Sequence, residues 1–369
     1  MLGLSCLQAN REDLVEREAE MATFENRSGV PVLTLTEPAG RARGEAHGEL
    51  LKSQIEEVYQ IRLELMLEKT DLETEAQVLQ LAHPHLAVLK DFDLALYEEL
   101  LGIAKGSGLS PEQVIVVNHY TDLRDLGQRT LEELPQQDPG GCSVLFKSTA
   151  KGPVLGQTWD MHGSAQDYVI VIELPDMILF SIAGCLGMTG LNRHGVGMTI
   201  NNLNSLDATV GIVWPALVRN ALQSENANDA RDVVMSARIG SGHHYVVADD
   251  KAVYGIETSG TKKKIIQEGI DQIHLHTNHC IDAEMQQTAR VPEGSTSMRR
   301  MAGLEGWMAK GGPDDALSFY HGLSCVEMPR KVGTHESATC GALVMDLSRG
   351  EALACVGIPS AHAPVMFKL

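Results

Sequence analysis

The feature that most constrains this 369-residue chain is a change of hydrophobic period at Asp-Pro-Gly-Gly, residues 138–141. Ahead of it, Leu50, Leu51, Ile55, Val58, Ile61, Leu65 and Met66 recur at three- and four-residue steps, which predicts an amphipathic helix running on from Gly40. Helical stretches follow at about 71–82 and 86–104, the second ending at Gly106 and Gly108, and Ser110-Pro111 fits an N-cap with proline at the first helical position. Beyond it, CSVLFKS, GPVLGQTWD, DYVIVIEL, MILFSIAG and VGMTINNL are short Val- and Ile-rich runs broken by Gly, Pro and Asp, which predicts strands. A helical period returns at 210–238 and at about 296–310. Between them GHHYVVADD and AVYGIETS read as a hairpin turning at Asp249-Asp250-Lys251, and ALVMDLSRGEALACVGIP reads as a last one, with Phe367-Lys368-Leu369 as the end of a strand. Residues 1–30 read as a polar lead-in or a short helix docked late. This alternation indicates an α+β fold with sheets layered between helices.

Hydrophobic residues at 43% and charged residues at 21% are globular values, which excludes disorder for the bulk of the chain. The formal charge of −19, concentrated ahead of residue 142, repels a phosphate backbone, so no nucleic-acid partner is expected. No apolar run approaches the roughly 18 residues of a membrane helix. The opening MLGLSCLQANRED lacks a basic segment followed by an apolar one. The seven cysteines are scattered, odd in number and form no Cys-x-x-Cys pair, which fits a reducing compartment. A soluble, cytoplasmic protein with no membrane partner is the expectation.

Cys142 has unusual neighbours. In PGGCSVLF it enters a strand directly after Gly141, and a residue without a Cβ leaves the Gly141–Cys142 peptide free to take a strained conformation. There a thiol can attack its own preceding carbonyl. Hydrolysis of the resulting ester-like bond leaves Cys142 as a new chain start, with an α-amine of reference pKa about 7.7–8.0 that can serve as the base for the adjacent thiol. A core cysteine after a turn is the plainer reading of these residues alone. Asp160, in GQTWDMH, lies across the hairpin that turns at Lys151-Gly152, which brings it to the same edge as Cys142. A carboxylate there can hold the α-ammonium. Asn278, in LHTNHC, is a side-chain amide of the kind that stabilises an oxyanion by about 3–4 kcal/mol.

These segments resemble the acyl-coenzyme A:6-aminopenicillanic acid acyltransferase family, the C45 group of N-terminal-nucleophile hydrolases. The resemblance runs through GRARGEAHGELLKSQI (40–55), NHYTDLRD (118–125), GGC (140–142), QTWD (157–160), GLNRHGVGMTINNL (190–203), HTNH (276–279), STSMRRM (295–301) and ATCGALVMDL (338–347), in order over about nine-tenths of the chain. It implies a four-layer αββα sandwich with a helical N-terminal segment. It also implies a precursor that cuts itself at Gly141–Cys142 into an α chain (1–141) and a β chain (142–369) that stay associated. Carried over, Cys142 is the nucleophile, Asp160 the partner of its α-amine and Asn278 the oxyanion residue. Ser297, with Ser295 beside it, matches a serine placed near the site. Tyr120, Asp122 and Arg124 stand where members show Asn-x-Arg-Thr-Glu; here the stretch reads NHYTDLRD, a departure from that pattern.

The implied substrate is a small linear amide or acyl compound. No cofactor is expected, acyl-coenzyme A entering only as a co-substrate, and water or an amine resolving the thioester decides between hydrolase and acyltransferase. Two other readings compete: a papain-like cysteine peptidase, which lacks its CGSCW-type signature here, and an inert scaffold binding a partner through its acidic front. Asn201-Asn202 suits a substrate-binding or second oxyanion element and equally a turn cap. His243-His244 reads as strand filler. His274, His276 and His279 share a strand face but lack a further ligand, so no metal is expected.

Overall fold

The computed structural model describes residues 22–127, 140–331 and 336–369. Most of the expected lead-in, and Asp138-Pro139 of the turn, lie outside the described residues. The rest of that lead-in is corrected: strands β1 (Ala22–Arg27) and β2 (Val30–Leu35) form a hairpin. Ser28 and Gly29 close it with φ of 52° and 93°, a two-residue turn whose twist suits a hairpin. β1 lies at the sheet edge and is largely polar, so it shows no apolar alternation to read.

Six helices follow: α1 (Arg41–Leu50), α2 (Lys52–Lys69), α3 (Glu75–Ala82), α4 (Pro84–Phe92), α5 (Leu94–Ser107) and α6 (Pro111–Leu126). Two expectations change. The helix from Gly40 breaks at Leu51 (φ −116°, ψ 23°), and the 86–104 helix breaks at Asp93, whose carboxylate accepts the Leu96 N–H at 3.0 Å and caps α5. The cap at Ser110 is as expected, with Gln113 completing a capping box.

The second half begins with strands β3 (Gly140–Thr149), β4 (Gly152–His162), β5 (Val169–Leu174), β6 (Met177–Ile182), β7 (Thr189–Asn192) and β8 (Gly197–Leu203). Helices α7 (Trp214–Ala221) and α8 (Ala227–Ser236) precede β9 (Gly242–Ala248), β10 (Val253–Thr258), β11 (Lys263–Glu268) and β12 (His274–His276). Then come α9 (Ser297–Met308), α10 (Ala316–Gly322), β13 (Ser337–Asp346), β14 (Glu351–Val356) and β15 (Val365–Lys368). Among the described residues nine strands form one sheet, β1-β2-β5-β6-β7-β8-β9-β10-β11, and six form another, β12-β3-β4-β13-β14-β15. Among the strand pairs of the described residues only β2–β5 is parallel.

The sheets pack face to face, β3 and β4 against β8, β13 against β7, and β14 against β2 and β5. Helices α1 and α8 lie on the larger sheet, and α9 and α10 on the smaller. This is the expected four-layer αββα sandwich. Covered on both sides, β4 is buried from Pro153 to His162.

The glycines of GRARGEAHGEL explain themselves in the helical layer, where α1 crosses α5. A Cβ on Gly44 would sit 1.9 Å from the Glu99 carbonyl oxygen, and one on Gly102 2.2 Å from that of Arg41. His47, one turn on from Gly44, accepts the Gly184 N–H at 3.0 Å; burial pushes its imidazole down to about 3. Asn118 of α6 grips the same turn, donating to Gly184 O and accepting from Leu186 N, both at 2.9 Å.

Two stability predictions follow from this layer. Gly44→Ala destabilises by at least about 1–3 kcal/mol, as overpacking does. In contrast Gly306→Ala, in α9 with open space around it, stabilises by about 0.5–1 kcal/mol; urea melts of both measure the difference. Buried His47 and His119, both depressed to about 3, stay neutral where the unfolded chain takes up protons. Stability is therefore held above pH about 6.5 and falls as pH drops toward 3, and His47→Gln flattens part of that slope in melts across pH.

Candidate active site

The β3–β4 hairpin pairs Thr149 with Gly152, and that register sets Cys142 opposite Trp159 and Gly141 opposite Asp160. The expectation that Cys142 and Asp160 share one edge is met. A small cavity, of about 30 Å³, opens there, lined by Gly141, Cys142 and Asp160. Trp159, Met161, Ile200 and Trp214 wall it, with Thr121, Arg124, Asn202 and His243 adding polar groups. Both sheets and two helices thus contribute to it.

A buried arginine organises this edge. Arg300 donates through Nη1 to the Cys142 carbonyl at 2.7 Å and to Ser143 Oγ at 3.0 Å, through Nη2 to Asn278 Oδ1 at 2.8 Å, and through Nε to Thr296 Oγ1 at 3.0 Å. Its Nη1 lies 3.8 Å from Asp160 Oδ2, and Asp160 Oδ1 accepts from Thr339 Oγ1 at 2.7 Å. Sequence reasoning missed Arg300. The available signal was its place three residues after Ser297, on the same face of a helix. The packing also accounts for the glycine before Cys142: a Cβ on Gly141 would meet Arg300 Nη2 at 2.3 Å and Asn278 Oδ1 at 2.5 Å.

Asn278 lies beside Cys142, just past β12, with its oxygen rather than its NH₂ turned on the Cys142 backbone. Oδ1 accepts from Cys142 N at 2.8 Å and from Arg300, while Nδ2 donates to Asn202 O at 2.7 Å. Two donors converging on one atom fix that orientation of the amide. Ser297, rather than Ser295, supports it: Ser297 Oγ accepts the Asn278 N–H at 2.8 Å and bonds Thr277 and His279.

The remaining candidates divide. Arg124, Asn202 and Gly141 line the cavity, whereas Tyr120 and Asp122 do not. Tyr120 meets His162 edge-on with ring centroids 6.4 Å apart, and Asp122 pairs with His243 Nε2 at 2.8 Å. His243, read as strand filler, thus has both a carboxylate partner and a place in the cavity wall.

Asn201 is buried and wholly engaged. Nδ2 donates to the Cys142 carbonyl at 2.9 Å, so Oδ1 must accept from both His244 Nδ1 at 2.9 Å and His276 Nδ1 at 3.1 Å. With its Nδ1 protonated, His276 faces Glu257 Oε1 through Nε2 at 3.0 Å, and a proton lies between them. Glu257 Oε1 also accepts the Ile281 N–H. Burial holds His244 well below its ordinary value, leaving it a neutral ring stacked 3.5 Å from His276. In this arrangement the Asn201 side chain holds the Cys142 backbone carbonyl. Among the described residues no group of three or more His, Cys, Asp or Glu is placed to hold a metal ion.

Glu257→Ala strands the buried His276 Nε2 and the part-buried Ile281 and Asp282 N–H groups and costs at least about 2 kcal/mol in chemical denaturation, whereas Glu257→Gln, which keeps an acceptor and a donor, costs less.

Comparison with known proteins agrees with the resemblance in the motifs. The sequence profile of the family "AAT: Acyl-coenzyme A:6-aminopenicillanic acid acyl-transferase" matches residues 147–316, a span that holds Asp160, Asn278 and Arg300. The acyl-coenzyme A:6-aminopenicillanic-acid-acyltransferase 40 kDa form of Emericella nidulans is 27% identical over 247 residues, 64% of this chain and 66% of that protein. The match therefore spans just under two thirds of that relative's length. Among solved structures, the N-acylethanolamine-hydrolyzing acid amidase ortholog of Caenorhabditis elegans is 13% identical with a TM-score of 0.39, covering 56% of this chain and 93% of its own. A mutant of the conjugated bile acid hydrolase of Clostridium perfringens is 12% identical with a TM-score of 0.42, covering 62% and 97%. Likenesses this distant bear on neither substrate nor residue roles. By profile over residues 147–316 and by a curated relative, the chain is similar to the acyl-coenzyme A:6-aminopenicillanic acid acyl-transferase family.

Proposed function

We propose that this protein is a self-processing N-terminal-nucleophile enzyme that hydrolyses linear amides, or transfers their acyl group, through a thioester on Cys142. What carries the reading is the convergence on Cys142 of Arg300, Asn278 and the Asp160 edge, beside a small cavity walled largely by apolar side chains. The family likeness supports acyl chemistry.

In the processing step the thiol sulfur attacks the Gly141 carbonyl carbon, the carbon–nitrogen bond breaks, and the thiol proton goes to the nitrogen. Water then hydrolyses the thioester, leaving a Gly141 carboxylate and a Cys142 α-amine. In turnover that amine takes the thiol proton, the thiolate attacks the substrate carbonyl, and the amine returns a proton to the leaving nitrogen. Arg300 beside the nucleophile favours the thiolate. Asp160 and Asn278 Oδ1 hold the α-amine. Asn278 Nδ2, kept by the Asn202 carbonyl in the joined chain, is the donor for the oxyanion. Water releasing the acyl group gives hydrolysis; an amine gives transfer, with acyl-coenzyme A as one donor of the acyl group. The 1–141 and 142–369 pieces stay together because each covers the other's apolar faces.

N-terminal sequencing and intact mass of purified protein test this: a second chain beginning CSVLF is expected, and Cys142→Ala stays whole. Gly141→Ala, pressing on Arg300 and Asn278, slows cutting at least tenfold. An unsevered, fully active wild type would overturn the proposal.

A further inference from the structure

Arg124, in the cavity wall, keeps a buried donor without a hydrogen-bond partner among the described residues. Its side chain is 1% exposed. Nε and Nη2 bond Asp125 Oδ1 at 3.1 and 2.6 Å, and Nη2 also reaches Asn204 Oδ1 at 2.8 Å. Asp125 is itself held by Ser205 N at 3.1 Å and Ser241 Oγ at 2.8 Å. The guanidinium therefore cannot swing, and Nη1 is left buried with no hydrogen-bond partner among the described residues. Asn202, in the same cavity wall, has a buried Oδ1 equally without a partner, so its amide is free to turn either face inward. An unmade buried hydrogen bond on a charged group is costly enough that a native structure needs a reason for it.

We infer that Arg124 Nη1, with the Asn202 amide, forms a subsite for a carboxylate carried by the amide substrate. Among the described residues, the acids around the cavity do not occupy this donor. Asp125 is bound as described, Asp160 has Arg300 and Thr339, and Asp122 has His243. A ligand oxygen at Nη1 gains a charge-assisted bond in a dry site walled by Trp159 and Trp214. This inference rests on the proposed amide chemistry of Cys142.

The carboxylate can sit on the amine part or on the acyl part of the amide. Two matched pairs separate these: N-hexanoylglycine against N-hexanoylglycinamide, and N-hexylsuccinamic acid against N-hexylsuccinamide. With wild-type protein, one acid is expected to exceed its carboxamide at least tenfold in kcat/KM, mainly through KM, and to bind more tightly by calorimetry; which pair discriminates names the side. Arg124→Lys, with its melting temperature checked, brings the ratio close to one. Equal turnover and equal binding within both pairs by wild type overturns the carboxylate subsite, whether or not the variant folds. Preferential binding of an acid without turnover of any compound leaves the subsite standing and counts instead against the amide-cleaving function.

Discussion

An arginine taken out of water must find acceptors for its donors or lose several kcal/mol, so the place of a buried guanidinium dictates where its neighbours lie. Arg300 is such a group. It is fully buried, and its acceptors come from β3, from the segment after β12 and from α9 itself, with the Asp160 carboxylate of β4 close by. One side chain thereby brings residues 142, 160 and 278 to a common edge. The same crowding leaves no volume at position 141, which makes a glycine there a packing necessity as well as a chemical convenience.

Around that fixed point the layers hold one another. Asn201 of β8 grips the Cys142 carbonyl from the larger sheet and is itself held by two histidines and, through one of them, by Glu257. The helical layer reaches inward as well: His47 and Asn118 clamp the turn after β6, and the helix bearing Asn118 brings Thr121 and Arg124 to the cavity. The cavity is a seam between segments far apart in the chain, so a change in any layer is felt at Cys142.

Much of this was legible beforehand where the signal is local. The strands after Gly141 announce themselves by β-branched runs, and Ser110-Pro111 by its cap. The Cys142–Asp160 relation follows from the turn position alone, because the period of a strand is two. Short or exposed elements escaped: the β1–β2 hairpin, four-residue β7, and seven-residue α10, whose Asp315 capping box is too short a pattern to stand out. Helix breaks at Leu51 and Asp93 escaped too, since apolar spacing continues across them. Of the site, Arg300, Trp214 and the His243–Asp122 pair were not legible as partners, for each is made by contacts across more than a hundred residues or between layers.

By itself the amino-acid order determined the class of elements, the strand that carries Cys142 and the carboxylate across from it, because propensity, capping and register act over a few residues. Tertiary structure alone decided which way the Asn278 amide faces, that Asn201 bonds the Cys142 carbonyl, and that Arg124 keeps a buried donor without a hydrogen-bond partner among the described residues. Those are questions of which buried donor meets which acceptor, and only the packing of two sheets and two helical layers brings such atoms within reach.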